Sequence, residues 1–306
     1  MTSLPSATAS SWRRRLGILA ALIVFAAAVE WLAGWRGVID AAARLSPLGA
    51  FALVVGLAAS YLLRGARIYF YFHDDLKGRF AATLRLTLIH NATANLLPMR
   101  AGELSFPLLA KRDFGLPPMR TISALVWFRL LDLLLLGGIS LAVLATGIEA
   151  GGGRLWLPVL ALPLVVLIAS RRNLLKLANR APEKLARLLV QVAEGLPADH
   201  GAAFRDLAIT AANWGSKLLA LGAAFVTLVD APSWQAGIAA AAGEVSGILP
   251  VATPAGFGAY EAVVVAAALP FGIDTAPALQ AAVTLHLIIL ATSMAGFALA
   301  AWPPKH

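Results

Sequence analysis

Ionisable and amide side chains stand inside stretches of this sequence that are otherwise apolar: Asn91, Asn95, Arg100, Glu103, Arg129, Asp132, Lys217, Glu244 and Glu261. At membrane depth such groups are costly unless they pair, hydrate or bind a ligand, which makes each a candidate functional residue. The chemistry they offer is charge recognition. Arginine and lysine bind phosphate, and carboxylates supply counter-charge or contact an amine. Thr83, Thr87, Asn91 and Asn95 are four apart, which places them on one helical face leading to Arg100 and Glu103. Those last two could also simply neutralise each other. Arg129 and Asp132, three apart, share a face and can pair. Asn213 and Lys217 are four apart, and Lys217 has the alternative of snorkelling to the interface. His286 lies alone in the last apolar run, where a histidine is as often a helix-to-helix hydrogen-bond partner as a proton carrier.

Catalytic patterns do not emerge. The sequence has no cysteine, so thiol nucleophiles, thiolate metal sites and disulfides are excluded. His73, His90, His200 and His286 lie far apart and show no metal-ligand spacing. No GxxxxGK[ST] stretch occurs, so ATP is not bound in that way, and no cofactor is expected. The net charge of +9 does not imply nucleic acid, because the basic residues cluster in short loops between apolar runs, where they orient a membrane protein and meet anionic headgroups.

The elements that position these groups follow from composition. With 59% hydrophobic and 13% charged residues and repeated long apolar runs, the chain reads as an all-α polytopic membrane protein. Arg13 to Arg15 followed by a short apolar run and Ala26 to Ala28 imitate a signal peptide, but the run continues to Leu32 and is read as a span. Six transmembrane helices are expected, at Leu16–Ala33, Pro47–Leu63, Thr121–Ala145, Leu155–Ser170, Leu207–Val229 and Pro277–Trp302. One set of loops, including Arg64 and Arg67, then holds eighteen of the 25 basic residues, whereas the other side has Arg36, Arg44 and Arg154. The positive-inside rule makes both termini cytoplasmic. Arg85, Arg100, Arg129 and Lys217 remain within hydrophobic segments.

Two further hydrophobic segments break in the same way, at Asn95–Leu104 and Ile248–Ala262. Each passes Leu-Pro and an Ala-Gly loop, reaches a glutamate (Glu103, Glu261) and resumes as a short apolar run. Phe-Gly follows, at Phe114-Gly115 and Phe271-Gly272. Neither segment is long enough to cross twice, so both are expected as re-entrant helical hairpins, 80–110 from the cytoplasm and 235–269 from outside. Residues 47–170 and 205–302 would then be inverted repeats joined by an amphipathic linker on the inner surface, 171–204, within one membrane domain of residues 1–306. Backbone that leaves the helix at membrane depth must be shielded or line a wet cavity, so the two loops are expected to meet in the interior. Pro254, Gly256 and Gly258 would allow close approach of a headgroup, with the amides of the following helix start favouring an anion.

The LPxRxGE element at Leu97 to Glu103, the FGL stretch after Lys111-Arg112, the RLLD run at Arg129 to Asp132 and the LPxTPAGFGxxE element at Leu249 to Glu261 resemble the flippase-like family typified by the transmembrane region of lysylphosphatidylglycerol synthase. The resemblance covers roughly Tyr61 to Trp302. It implies a protein of the bacterial inner membrane that moves, or helps move, phospholipids or related lipids with anionic or zwitterionic headgroups between leaflets. It leaves room for a separate lipid-modifying enzyme as partner. The aminoacyltransferase domain of the synthase has no counterpart within these 306 residues, so lysine transfer is not implied. Ser105-Phe106-Pro107 and Phe128 stand where family members often carry an arginine and a glutamate. Two alternatives remain: a membrane enzyme acting on lipid or polyprenyl phosphates, and a non-transporting accessory subunit or small-solute carrier.

Overall fold

The computed structural model describes residues 23–24, 26–146, 171–229, 233–247 and 253–302 and is helical throughout. The expected span Leu155–Ser170 and Arg154 lie outside the described residues, as does the first half of the span Leu16–Ala33. In chain order the helices are α1 (26–32), α2 (Trp35–Ala43), α3 (Pro47–Tyr71), α4 (His73–Leu76), α5 (Phe80–Leu96), α6 (Ser105–Phe114), α7 (Pro118–Thr146), α8 (171–178), α9 (Glu183–Glu194), α10 (His200–Val229), α11 (Ser233–Ser246), α12 (Ala259–Ala268) and α13 (Thr275–Ala301).

Four helices are long and apolar enough to cross a membrane: α3, the first 21 residues of α7, α10 and α13. At about 1.5 Å per residue each can span a hydrocarbon core of about 30 Å. Ser46 starts α3, its hydroxyl accepting from the Gly49 amide at 3.1 Å with Pro47 in the first turn. The expected end of this span at Leu63 is corrected. The helix continues to Tyr71 and draws Arg64 and Arg67 out of the predicted loop into the protein, because both find partners there (below). The outer faces carry exposed Phe51, Leu62, Leu219 and Leu299, as helices in contact with lipid do.

The two interrupted segments appear as helix, break, helix. The first is α5 (17 residues), a 3₁₀ turn at Pro98–Leu104 and α6 (10 residues). The second is α11 (14 residues), a 3₁₀ turn at Pro254–Gly256 and α12 (10 residues). Both exit through a left-handed glycine, Gly115 (φ 72°) and Gly272 (φ 73°), which only a residue without Cβ adopts at no steric cost. One apolar cluster, with Phe72, Leu86, Phe106, Trp127 and Leu131, packs around the first unit. A second, with Leu57, Leu221, Phe225, Val264 and Leu285, packs around the other. The Pro98–Leu104 and Pro254–Gly256 turns touch each other between these clusters, as expected of the two loops.

The first turn folds back so tightly that a Cβ on Gly102 would sit 2.0 Å from the Thr93 carbonyl oxygen. Backbone cannot yield there. Gly102→Ala is therefore expected to cost about 1–3 kcal/mol, read as a lower unfolding temperature of the purified protein. Gly137→Ala, in α7 with nothing within 4 Å of the new Cβ, should be neutral or slightly stabilising.

Candidate functional site

A cavity of about 160 Å³ lies where the two breaks meet, lined by residues of α3, α5, α7, α10, α11, α12 and α13 and of both turns. Of the residues expected from sequence, Asn91, Asn95, Glu103, Arg129, Lys217, Glu244 and Gly256 line it. Asp132 lines a smaller adjoining cavity of about 30 Å³ together with Arg64, Asn91 and Arg129. Glu261 stands behind the wall, in contact with His286, which does line the main cavity. Gly258 is exposed and starts α12. Pro254 opens its turn, and Arg100 belongs to the Pro98–Leu104 turn; the side chains of both lie outside the described part of the structure.

Most of the charges around the cavity are paired across helices. Glu103 accepts from Arg129 at 2.9 Å. The expected Arg129–Asp132 pair exists at 3.5 Å, but the closer partner of Asp132 is Arg67 of α3, at 3.0 Å. Trp214 Nε1 also donates to Asp132 at 3.0 Å, and Arg67 donates to Thr210 Oγ1 at 2.9 Å. Lys217 does not snorkel outward. It is buried and bonds Glu244 at 2.5 Å, tying α10 to α11. Burial of either charge alone would be far costlier than burial of the pair.

The polar face of α5 divides in two. Thr83 and Thr87 donate to the backbone carbonyls of Arg79 and Thr83 and are satisfied within their own helix. Asn91 and Asn95 reach the interior: Asn91 Oδ1 accepts from Arg64 at 3.3 Å, and Asn95 donates to Ser293, which also bonds Tyr61. The two departures from the family pattern acquire local roles. Ser105 Oγ donates to the Gly102 carbonyl at 2.6 Å and lies 2.9 Å from His90 Nδ1, pinning the first turn to α5. The Phe128 ring lies under the Arg67 guanidinium, 4.5 Å from its centroid.

Arg64 is a cavity-lining cation that the sequence reading placed in a loop. Ser60, Arg64, Arg67 and Tyr71 are spaced four, three and four, a helical stripe continuing the span beyond Leu63, and that spacing is the signal that marks it. Arg64 lies over Trp214 at 5.7 Å and, among the described residues, has no carboxylate partner. Its Nε and the neighbouring Asn91 Nδ2 are buried donors without an acceptor. A guanidinium with unmet donors at a polar cavity is suited to an oxyanion such as phosphate. The expectation that the amides at the start of α12 hold an anion is corrected in its detail, because the anion is the protein's own: Gly258 N–H donates to Glu261 at 2.8 Å.

Among the described residues no three metal-ligating side chains cluster. The fold and site thus define a polytopic helical membrane protein whose interior holds a charged cavity between two broken segments. Residues 17–296 match the model of the lysylphosphatidylglycerol synthase TM region, and the chain belongs to that flippase-like family. The matched part is the membrane region of the synthase. No curated protein and no solved structure matches the chain significantly.

The Lys217–Glu244 pair allows a direct test of how the cavity wall is held. Lys217→Met leaves a buried carboxylate uncompensated and should destabilise by about 3–5 kcal/mol, whereas adding Glu244→Met should recover most of the loss. A double-mutant cycle of unfolding temperatures measures the difference.

Proposed function

We propose that this protein is a lipid translocase of the bacterial inner membrane. In this reading the headgroup of a phospholipid or related lipid enters the cavity between the two breaks while the acyl chains stay in the bilayer. Arg64 and Arg129, with Arg100 and Lys217, attract the phosphate; Glu103 and Glu244 contact the amine of a zwitterionic headgroup or hold the cations in place. Asn91, Asn95 and the backbone around Gly256 complete the wall. The observation that carries the reading is Arg64, a cation without a carboxylate partner among the described residues, at a polar cavity in an otherwise apolar bundle. A cation held there without counter-charge is stabilised by an anionic ligand.

Transport further requires access from both leaflets. We place helices α5 and α6 in a re-entrant hairpin from the cytoplasm, and α11 and α12 in one from outside, within inverted repeats over 47–170 and 205–302. This arrangement has six crossings and cytoplasmic termini. The contact between the two turns and the shared left-handed Phe-Gly exits support it. A separate lipid-modifying enzyme would supply or consume the lipid.

Reconstitution of the purified protein into liposomes with leaflet-labelled phospholipids tests the function. Wild type should equilibrate the label between leaflets, Arg64→Lys should retain part of the rate, and Arg64→Ala should lose it while remaining folded, because an ammonium replaces a bidentate guanidinium only partly. Chemical alteration of the lipid would instead identify an enzyme, and neither outcome would leave an accessory subunit. For topology, single cysteines at the exposed positions Lys111 and Thr275 on this cysteine-free background should react with an impermeant thiol reagent from opposite faces; labelling from one face excludes the inverted repeat.

A further inference from the structure

His286 is held between two acceptors. Its Nδ1 lies 2.7 Å from Glu261 Oε1, and its Nε2 lies 3.0 Å from the Ala255 carbonyl oxygen. A carbonyl can only accept, so Nε2 carries hydrogen. The Nδ1 contact then needs a second hydrogen, carried by the ring as imidazolium or by Glu261 as the acid. In either form the dyad holds one exchangeable proton. The second carboxylate oxygen is occupied by Gly258 N–H at 2.8 Å. Histidine and glutamate are both buried, yet the ring lines the cavity.

What the proton holds is the loop. Ala255 is, among the described residues, the one non-glycine with positive φ (52°), and it is followed by Gly256 (φ 78°) and Gly258 (φ 82°). A strained conformation of this kind persists only where its surroundings enforce it. Here the enforcing contacts include the Nε2 bond to Ala255 and, through Glu261, the bond to Gly258. If the proton leaves, the ring retains a single N–H. Either Nδ1 then presents a lone pair to the carboxylate or Nε2 presents one to the carbonyl. One of the two anchors turns repulsive, and the loop is freed on that side.

We propose that the His286–Glu261 dyad is a proton-binding site that couples protonation to movement of the 254–258 loop, and thereby to passage of the headgroup. This deepens the translocase reading and rests on it. The step balances as proton exchange alone: one proton passes from water in the cavity to the Nδ1–Oε1 pair and returns to water, with no other bond made or broken. The charged surroundings tie it to the anion. Tyr260 of α12 stacks on the ring at 4.7 Å. Glu244 of α11, Lys217 of α10, Arg64 of α3 and His90 of α5 face the same cavity, as do Arg129 and Glu103. Arg36 and Asp40 of α2, which packs on α13, are exposed and turned away. Lys217 and Glu244 offset each other, and Arg129 is offset by Glu103 and Asp132, so among the described residues Arg64 is the cation lining this cavity without an ion pair. An anion on Arg64 removes its repulsion of the proton, and by linkage the proton strengthens anion binding to the same extent.

The test has two independent arms. In the first, the full chain labelled with ¹⁵N-histidine is placed in phosphatidylethanolamine/phosphatidylglycerol nanodiscs, and the His286 ring resonances, identified by their loss in His286→Gln, are followed across about pH 5–9. Wild type should show one proton step. Glu261→Gln, which keeps an oxygen for Gly258 N–H, should change that step, because the carboxylate that shares the proton is gone. Absence of a step in wild type, or an unmoved step in Glu261→Gln, overturns the proposal. In the second arm, liposomes of the same lipids with a headgroup-labelled phospholipid carry an imposed pH gradient. With one proton per lipid, one pH unit should support up to about a tenfold leaflet asymmetry, absent in Glu261→Gln and His286→Gln. Lipid that equilibrates in wild type with no response to the gradient overturns the coupling and leaves the translocase standing. No lipid movement under any condition overturns the translocase and with it the coupling, even if the first arm finds the proton.

Discussion

Asp132 gathers cations from two helices in the interior of a membrane protein. Arg67 of α3 and Arg129 of its own helix both reach it, and Trp214 of α10 donates a third polar contact. Ions taken out of water at such depth are tolerable only when their geometry is nearly complete, so this junction dictates how α3, α7 and α10 must sit. Arg129 continues the chain of charge to Glu103, on the turn that breaks the first short helix pair. The turn is thus held from α7 by an ion pair and from α5 by His90 and Thr93, which both bond Ser105, and by the close backbone approach at Gly102. Small residues elsewhere permit similar closeness: a Cβ on Gly56 of α3 would lie 2.4 Å from that of Ala220 in α10.

The breaks themselves follow from backbone accounting. Helix ends inside a bilayer expose amides and carbonyls that hydrocarbon cannot satisfy, so they must meet protein or water. Protein supplies several of these partners. Glu261 fills the start of α12, Ser105 takes a carbonyl of the first turn, and His286 takes one of the second. The remaining polar surface faces the cavity between the turns. Charges that line the cavity therefore also hold its wall together.

This sharing explains the division of labour among similar side chains. Arg67 Nη1 bonds both Asp132 and Thr210, and the guanidinium is backed by Phe128, so Arg67 is ion-paired. Arg64, one turn earlier, has an amide and an indole face but no carboxylate among the described residues. Arg64 and Arg67, three residues apart on one helix, thus differ in their partners: Arg67 is ion-paired to Asp132, whereas Arg64 has no ion pair among the described residues. The same contrast holds in α5, where the first two polar residues of the stripe bond their own helix and the last two turn to the interior.

Composition and hydropathy were enough to establish an all-helical membrane protein and its long apolar helices, because crossing hydrocarbon demands a continuous apolar run whatever the fold. The twin breaks were legible too, since Pro and Gly at matched positions act locally, and their Phe-Gly ends fold as left-handed caps in both copies. Most of the candidate residues were visible as charges out of place, and most of them line one of the two cavities. Partner choice was not. Lys217 could equally have reached the interface, Arg64 read as a loop residue beyond Leu63, and His286 stood alone in its run. Each was decided by a residue distant in sequence: Glu244 for Lys217, Asn91 and Trp214 for Arg64, Glu261 and the Ala255 carbonyl for His286. Local sequence sets which segments can be buried. The long-range packing of the helices decides which buried charges meet, because the energy of a charge at that depth depends on what lies within a few ångströms of it and hardly at all on its neighbours along the chain.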